Sequence, residues 1–167
     1  MYHPSPFGQI DHERGDCETR YQAIKKDYES KFGSFEGKTM IDVCCANGYF
    51  PFKFLLDGGK EARGVEIETA VVKFNNVVAK DKGLNFYTSD KLPDQQRYDI
   101  GLYLDTHYHG DTIKAGYLPW LRDNVDVLYT SSCRKTDVYY AELQAMFNVV
   151  DFVCDSKAKR KIYRCER

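Results

Sequence analysis

Several familiar signals are missing from this chain. Its six cysteines, Cys17, Cys44, Cys45, Cys133, Cys154 and Cys165, include no C-x-x-C pair. Without that spacing a zinc site or a disulfide framework has no support, and reduced, buried thiols are expected. No apolar run approaches the roughly 20 residues that a membrane-spanning helix needs. The start, MYHPSPFGQIDHERGD, lacks the charged-then-apolar order of a leader peptide, so a cytoplasmic protein with no membrane partner is expected. An excess of charge of one sign is missing too: 24 Lys and Arg stand against 25 Asp and Glu, a formal net charge of -1. That argues against a long phosphate-coated partner held by electrostatics alone, although a local basic patch would still permit a nucleic acid. Neither the dinucleotide fingerprint G-x-G-x-x-G nor the phosphate loop G-x-x-x-x-G-K-[ST] occurs, and no internal repeat stands out.

What is present is ordinary in bulk. The 167 residues are 43% hydrophobic and 29% charged, which suits one globular domain with one sizeable core. Residues 1–15 are polar and carry Pro4, Pro6, Gly8 and Gly15, so they read as a flexible arm, with residues 16–167 as a single domain. CETRYQAIKKDYESKF (17–32) predicts a helix from Tyr21, Ile24, Tyr28 and Phe32, and Gly33 stops it.

From residue 39 strands and helices alternate. TMIDVCC, EARGVEIE, LNFYTSD, YDIGLYLD and VDVLYTSSC read as five strands. Between them, GYFPFKFLLDGG carries a helix closed by Gly58 and Gly59, and TAVVKFNNVVAKDKG another, with Val71, Val72, Phe74, Val77 and Val78 on its apolar side. Helices over 111–122 and 137–147 follow. The last two strands, NVVDFVC and KIYRCE, are joined by too few residues for a crossover and should pair antiparallel. The expected class is α/β: a Rossmann-like open sheet of about seven strands, mostly parallel, with an antiparallel C-terminal hairpin and helices on both faces.

In such sheets ligands bind beyond the carboxyl ends of the strands, where the strand order reverses. The turn after the first strand reads Asp42-Val43-Cys44-Cys45-Ala46-Asn47-Gly48. It resembles the first motif of the class I S-adenosylmethionine-dependent methyltransferases, roughly D-x-G-x-G-x-G. Asp42 and Gly48 match, while Cys44 and Ala46 put small side chains where that family has glycine. The resemblance spans about residues 38–165 and includes the terminal hairpin. It implies S-adenosylmethionine as cofactor, bound by Asp42, Cys44, Ala46, Asn47, Gly48, Glu66, Ile67, Ser89 and Asp90. Glu66 would hold the two ribose hydroxyls, because a carboxylate only accepts and both hydroxyls can donate. Ile67 would flank the adenine, with Ser89 and Asp90 near its amino group.

The resemblance also places reacting groups after the fourth strand, at Asp105, His107 and Tyr108. The string D-T-H-Y is similar to the D-P-P-Y of enzymes that methylate amino groups on bases, but both prolines are missing, so no base is named as acceptor. Plainer roles stand beside these. Asp42 could cap a turn, the thiols could simply pack, Glu66 could be a strand-end charge, and "SDKLP" is ordinary turn chemistry. His107 and His109 have no third partner for a metal, so either one serves as a base near neutral pH or both are solvated. The basic string 157–161 is either a solvated turn or a nucleic-acid contact. A cofactor-binding module without catalysis and a nicotinamide oxidoreductase are the rival functions. The acceptor, whether small molecule, RNA or protein, is left to the arm, the loop after the fourth strand and a second subunit of a homo-oligomer.

Overall fold

A computed structural model describes residues 16–94, 96–105, 116–132, 136–156 and 159–167. The arm over 1–15, the histidines His107 and His109, Tyr108 and Cys133 lie outside the described residues. The first helix, α1, is Cys17–Phe32, and the chain then runs β1 (Thr39–Val43), α2 (Tyr49–Leu56), β2 (Glu61–Val65), α3 (Thr69–Lys82) and β3 (Phe86–Ser89). The second half is β4 (Tyr98–Tyr103), α4 (Tyr117–Asn124), β5 (Val125–Ser131), α5 (Thr136–Met146), β6 (Val149–Asp155) and β7 (Lys161–Glu166).

The seven strands form one sheet in the order β3-β2-β1-β4-β5-β7-β6. The pairs β1–β2, β1–β4, β2–β3 and β4–β5 are parallel, whereas β7 runs antiparallel to both β5 and β6. The expected C-terminal hairpin is therefore there, and β7 is inserted between β5 and β6. Order reverses between β1 and β4, which puts the crevice of such sheets over that pair.

Both faces are covered, and β1 shows why its sequence is apolar almost throughout. Met40 enters one core cluster while Ile41 and Val43 enter the other, as period-two alternation requires. The first face receives α1, α2 and the inner side of α3, with Tyr21, Ile24, Tyr28, Phe52 and Phe54 all 2% exposed or less. The second receives Leu118 and Leu121 of α4 and Tyr139 and Leu143 of α5. Cys45 packs into the first cluster and Cys44 against the second. Replacing a buried phenylalanine such as Phe54 by alanine costs about 3–5 kcal/mol in such cores.

Helix α1 is tied down by charge as well. Arg164 on β7, its side chain 4% exposed, bonds both oxygens of Asp27 at 3.0 Å and reaches Glu166 at 2.8 Å and Asp151. The Tyr129 hydroxyl donates to the same Asp27 at 2.9 Å. The described part of the fourth helix begins at Tyr117, and β1 to β5 are one to three residues shorter at their carboxyl ends than the sequence suggests. Among the described residues no helix is long and apolar enough to cross a membrane.

One expectation fails. The residues of α3 that are buried are Asn75 and Ala79, while Phe74 is 37% and Val77 67% exposed. Val72 and Val78 are half-buried. The expected apolar side is therefore only partly the inner one: Val78 packs against the core, but a polar residue holds the centre of the inner face and Phe74 and Val77 point away from it.

Candidate cofactor crevice

The turn after β1 is built by backbone conformation. Cys44, Ala46 and Gly48 have φ of 64°, 45° and 70°, so every second residue is left-handed. Glycine adopts this conformation freely, while a side chain there costs about 1–2 kcal/mol. The two positions where this chain departs from the glycine pattern are thus held in the conformation that glycine would favour. Surrounding bonds hold it. The N–H groups of Cys44 and Cys45 both donate to the Val65 carbonyl, at 2.8 and 3.1 Å, and the Gly48 N–H donates to Cys45 O at 2.9 Å. A Cβ on Gly64 of β2 would lie 2.6 Å from Cys45 Sγ, so that glycine makes room for the turn.

Asn75 explains the misplaced stripe. It is fully buried, and its Nδ2 donates to the Ala46 carbonyl at 2.8 Å. The next residue, Asn76, exchanges two bonds with Thr88 on β3, accepting from its N–H at 2.8 Å and donating to its carbonyl at 2.9 Å. Sequence reasoning missed both. Two adjacent asparagines inside a helix were the available signal, since asparagine is a poor helix-interior residue without a bonding role.

Glu66 stands one residue past β2. Its Oε2 accepts from the Ala46 N–H at 3.0 Å and its Oε1 from the Glu68 N–H at 3.1 Å. An ionised carboxylate has about four acceptor sites, so two remain after these bonds. The Glu66 N–H donates to Ser89 O at 2.9 Å, which sets Ser89 beside it at the carboxyl edge. Ser89 Oγ itself donates to Lys91 O at 2.9 Å. Ile67 is 45% exposed, a large aliphatic side chain left open next to a carboxylate. Asp90 is exposed and Asn47 buried. Asp42, 4% exposed, has its carboxyl pushed well above the ordinary range by burial and then by Glu66, with Arg20 pulling the other way. Cys45 is likewise pushed up by burial, which makes it an unreactive packing thiol.

Asp105 closes β4 with φ of 58°. Arg20 Nη1 of α1 reaches its Oδ2 at 2.6 Å, and Arg160 Nη1 of the β6–β7 turn reaches its Oδ1 at 2.9 Å. Ser131 Oγ donates to Oδ1 at 3.2 Å and accepts from the Asp105 N–H at 3.1 Å. Arg20 also pairs with Asp16 at 2.8 Å. Burial alone would raise the Asp105 carboxyl, but the two guanidiniums outweigh it and hold it below the ordinary range. Arg20, Arg160 and Ser131 were not foreseen, since nothing local in the sequence links them. The structure therefore gathers Asp42, Cys44, Ala46, Gly48, Glu66 and Ser89 at one end of the sheet, with Asp105 at the end of the strand across the reversal point.

Solved structures share this architecture. A structure of WbdD, crystallised with the kinase inhibitor LY294002, superposes with a TM-score of 0.72 at 15% identity over 91% of this chain and 41% of that one. The 16S rRNA N2 G1207 methyltransferase RsmC of T. Thermophilus, in complex with AdoMet and guanosine, gives 0.71 at 16% over 87% and 41%. The chain spans about two-fifths of the length of these two proteins. It has the class I methyltransferase fold. Magnesium protoporphyrin IX methyltransferase (ChlM) from Synechocystis PCC 6803 with bound SAM shows that fold at nearly the same length, with a TM-score of 0.69 at 17% identity over 96% and 86%. No protein-family model and no curated relative matches the sequence.

Proposed function

We propose that the chain is an S-adenosylmethionine-dependent methyltransferase. The observation that carries this is Glu66: a carboxylate at the end of β2, fixed by the Ala46 N–H of the turn and by Glu68 N–H, with acceptor sites left over. The rest of the set fits the cofactor's chemistry. Cys44, Ala46 and Gly48 keep side-chain bulk off the turn, so a ligand can approach its backbone. Exposed Ile67 suits an apolar ring face, and Ser89 with Asp90 suits an amino group. Asp42, Asn47 and Gly48 shape the floor beneath. The solved neighbours with SAM, SAH or AdoMet bound support the same cofactor.

When bound, the cofactor supplies a methyl group already activated on a sulfonium, so the protein's work is positioning and exclusion of water. Asp105 serves that work. Its carboxylate is engaged by two guanidiniums and held at low basicity, so it orients the acceptor side of the crevice and does not take the acceptor's proton. Imidazole is the side chain whose ordinary pKa lies nearest neutral pH, so His107 is the residue assigned to that proton, and Tyr108 to acceptor contact. Both lie outside the described residues. The cytoplasm remains the assigned compartment. The neighbours' names cover an rRNA and magnesium protoporphyrin IX, so the acceptor pool to screen is RNA, small molecules and protein.

Titration calorimetry with S-adenosylmethionine and its demethylated product tests the cofactor. Mass spectrometry of pooled acceptors incubated with protein and cofactor tests turnover. Heat with a nicotinamide dinucleotide and none with either sulfur compound would overturn the reading. Binding without transfer to any pool would leave a cofactor-binding module.

A further inference from the structure

The crevice over β1 and β4 has two lips, and the cofactor residues named above lie on one of them. The other ends in the ion-paired Asp105 and also carries an aromatic pair. Leu102 pairs with Asp42, which sets Tyr103 level with Val43 at the carboxyl end of β4. Tyr103 is 5% exposed. The ring of Tyr117 meets it edge-on, with centroids 6.3 Å apart and planes at 89°. Tyr117 is the first residue of α4, a helix fixed by buried Leu118 and Leu121. It is only half-buried, and it packs against the same core cluster as Cys44. Burial raises its phenol above the ordinary range, and Cys44 and then Glu66 add to the rise. The ring is thus within electrostatic reach of the turn after β1 and of the carboxylate after β2.

We propose that Tyr117 is a cofactor-contact residue that walls the crevice on the β4 side, its ring favouring the cationic sulfonium over the neutral thioether left after transfer. An aromatic ring carries a negative face that attracts a ligand cation. The thioether lacks that charge, so the same ring holds the spent cofactor less well. This inference rests on the methyltransferase reading of the site.

The test is calorimetric titration of S-adenosylmethionine and of its thioether product into the wild type, Tyr117→Phe and Tyr117→Leu, with thermal melts of all three. Tyr117→Leu should weaken sulfonium binding about tenfold and thioether binding about threefold or less. Tyr117→Phe, which keeps the ring, should stay within about twofold of wild type for both. Should the leucine variant lose its cooperative melt, ring-labelled wild type supplies a second readout: the Tyr117 resonance, assigned by its loss in Tyr117→Phe, should shift more with sulfonium than with thioether. Unchanged affinities in Tyr117→Leu, an equal loss for both ligands, a phenylalanine variant as weak as the leucine one, or a Tyr117 resonance unmoved by either ligand would each overturn the proposal. A wild type that binds neither ligand overturns the methyltransferase reading and this inference together, and is distinguishable because it needs no variant.

Discussion

Two carboxyls sit on adjacent strands at the same end of the sheet, and their surroundings are opposite. Asp42, inside β1, is buried, and burial with the added charge of Glu66 pushes its carboxyl up. Asp105, just past β4, is held between Arg20 and Arg160, and its carboxyl is pulled down. The contrast extends to the two lips. On the β1–β2 side the geometry comes from main chain: left-handed residues at 44, 46 and 48, and a carboxylate gripped by N–H groups. On the β4 side it comes from long side chains that arrive from α1 and from the final hairpin. A main-chain lip can be tuned by residue size. A side-chain lip depends on charges that must all be present, because a buried ion left alone costs far more than its pair contributed.

The largest effect should come from breaking the side-chain lip. Asp105→Ala leaves the guanidinium of Arg20, whose side chain is 5% exposed, with Asp16 as its one carboxylate partner among the described residues. Removing one partner of a buried pair costs about 3–5 kcal/mol, so urea denaturation should show a loss of that order. A loss under about 1 kcal/mol would mean that the cluster is solvated and that the two lips do not differ in kind. Asp105→Asn should be milder in stability and should reduce turnover with cofactor affinity nearly intact.

On the main-chain lip the corresponding change should touch binding and spare the fold. Under the proposed ribose role, Glu66→Ala removes a charged acceptor, which costs about 1.5–3 kcal/mol, or roughly ten- to more than a hundredfold in cofactor affinity. Its thermal midpoint should move little, since Glu66 is only half-buried. An unchanged dissociation constant would remove the ribose role.

Smaller still is the effect of restoring glycine. At Ala46, φ 45°, glycine relieves about 1–2 kcal/mol of backbone cost but adds about 0.4–1 kcal/mol of unfolded-chain entropy. Ala46→Gly should therefore stabilise slightly, by about 0.5–1 kcal/mol, and Ala46→Val should destabilise. If both variants weaken the fold equally, side-chain packing and not conformation governs the turn.

The finest test is the sign of pH dependence. The folded Asp105 carboxyl lies below its ordinary value near 3.8, so the unfolded chain binds more protons around that pH. Its stabilisation is present above the unfolded value and is lost as pH falls through the folded one. The deficit of Asp105→Asn relative to wild type should hence shrink on acidification below about pH 4. Asp42 has the reverse sign. Its folded carboxyl lies above the ordinary value, so its cost appears as pH rises through the unfolded value and grows until the folded one is passed. Asp42→Asn should be more stable than wild type at neutral pH and lose that advantage in acid. Denaturation curves of the two variants across pH that slope the same way would erase the contrast between the two carboxyls.

The extent of legibility differed by element. Helix 17–32 and strand 161–166 were bounded correctly, because their caps and periodicity are local properties of the chain. The parallel sheet followed from the alternation of strands and helices, and its antiparallel end from the short last connection. The inner face of α3 was misjudged, since hydrophobic periodicity cannot see that Asn75 is needed under the turn after β1. Arg20 and Asp105, 85 residues apart, gave no sequence signal of their pairing.

By itself, then, the sequence determined the order of strands and helices, the small residues of the turn after β1 and the placing of acids at strand ends. These depend on backbone propensity, side-chain volume and alternation, which act over a few residues. Only the tertiary structure decided that Cys44 and Ala46 are left-handed, that Glu66 is anchored on the turn, that Asp42 and Asp105 are shifted in opposite directions, and that Tyr117 meets Tyr103 edge-on. Each of these depends on desolvation or on a partner brought from a distant part of the chain, and neither exists until the sheet has closed.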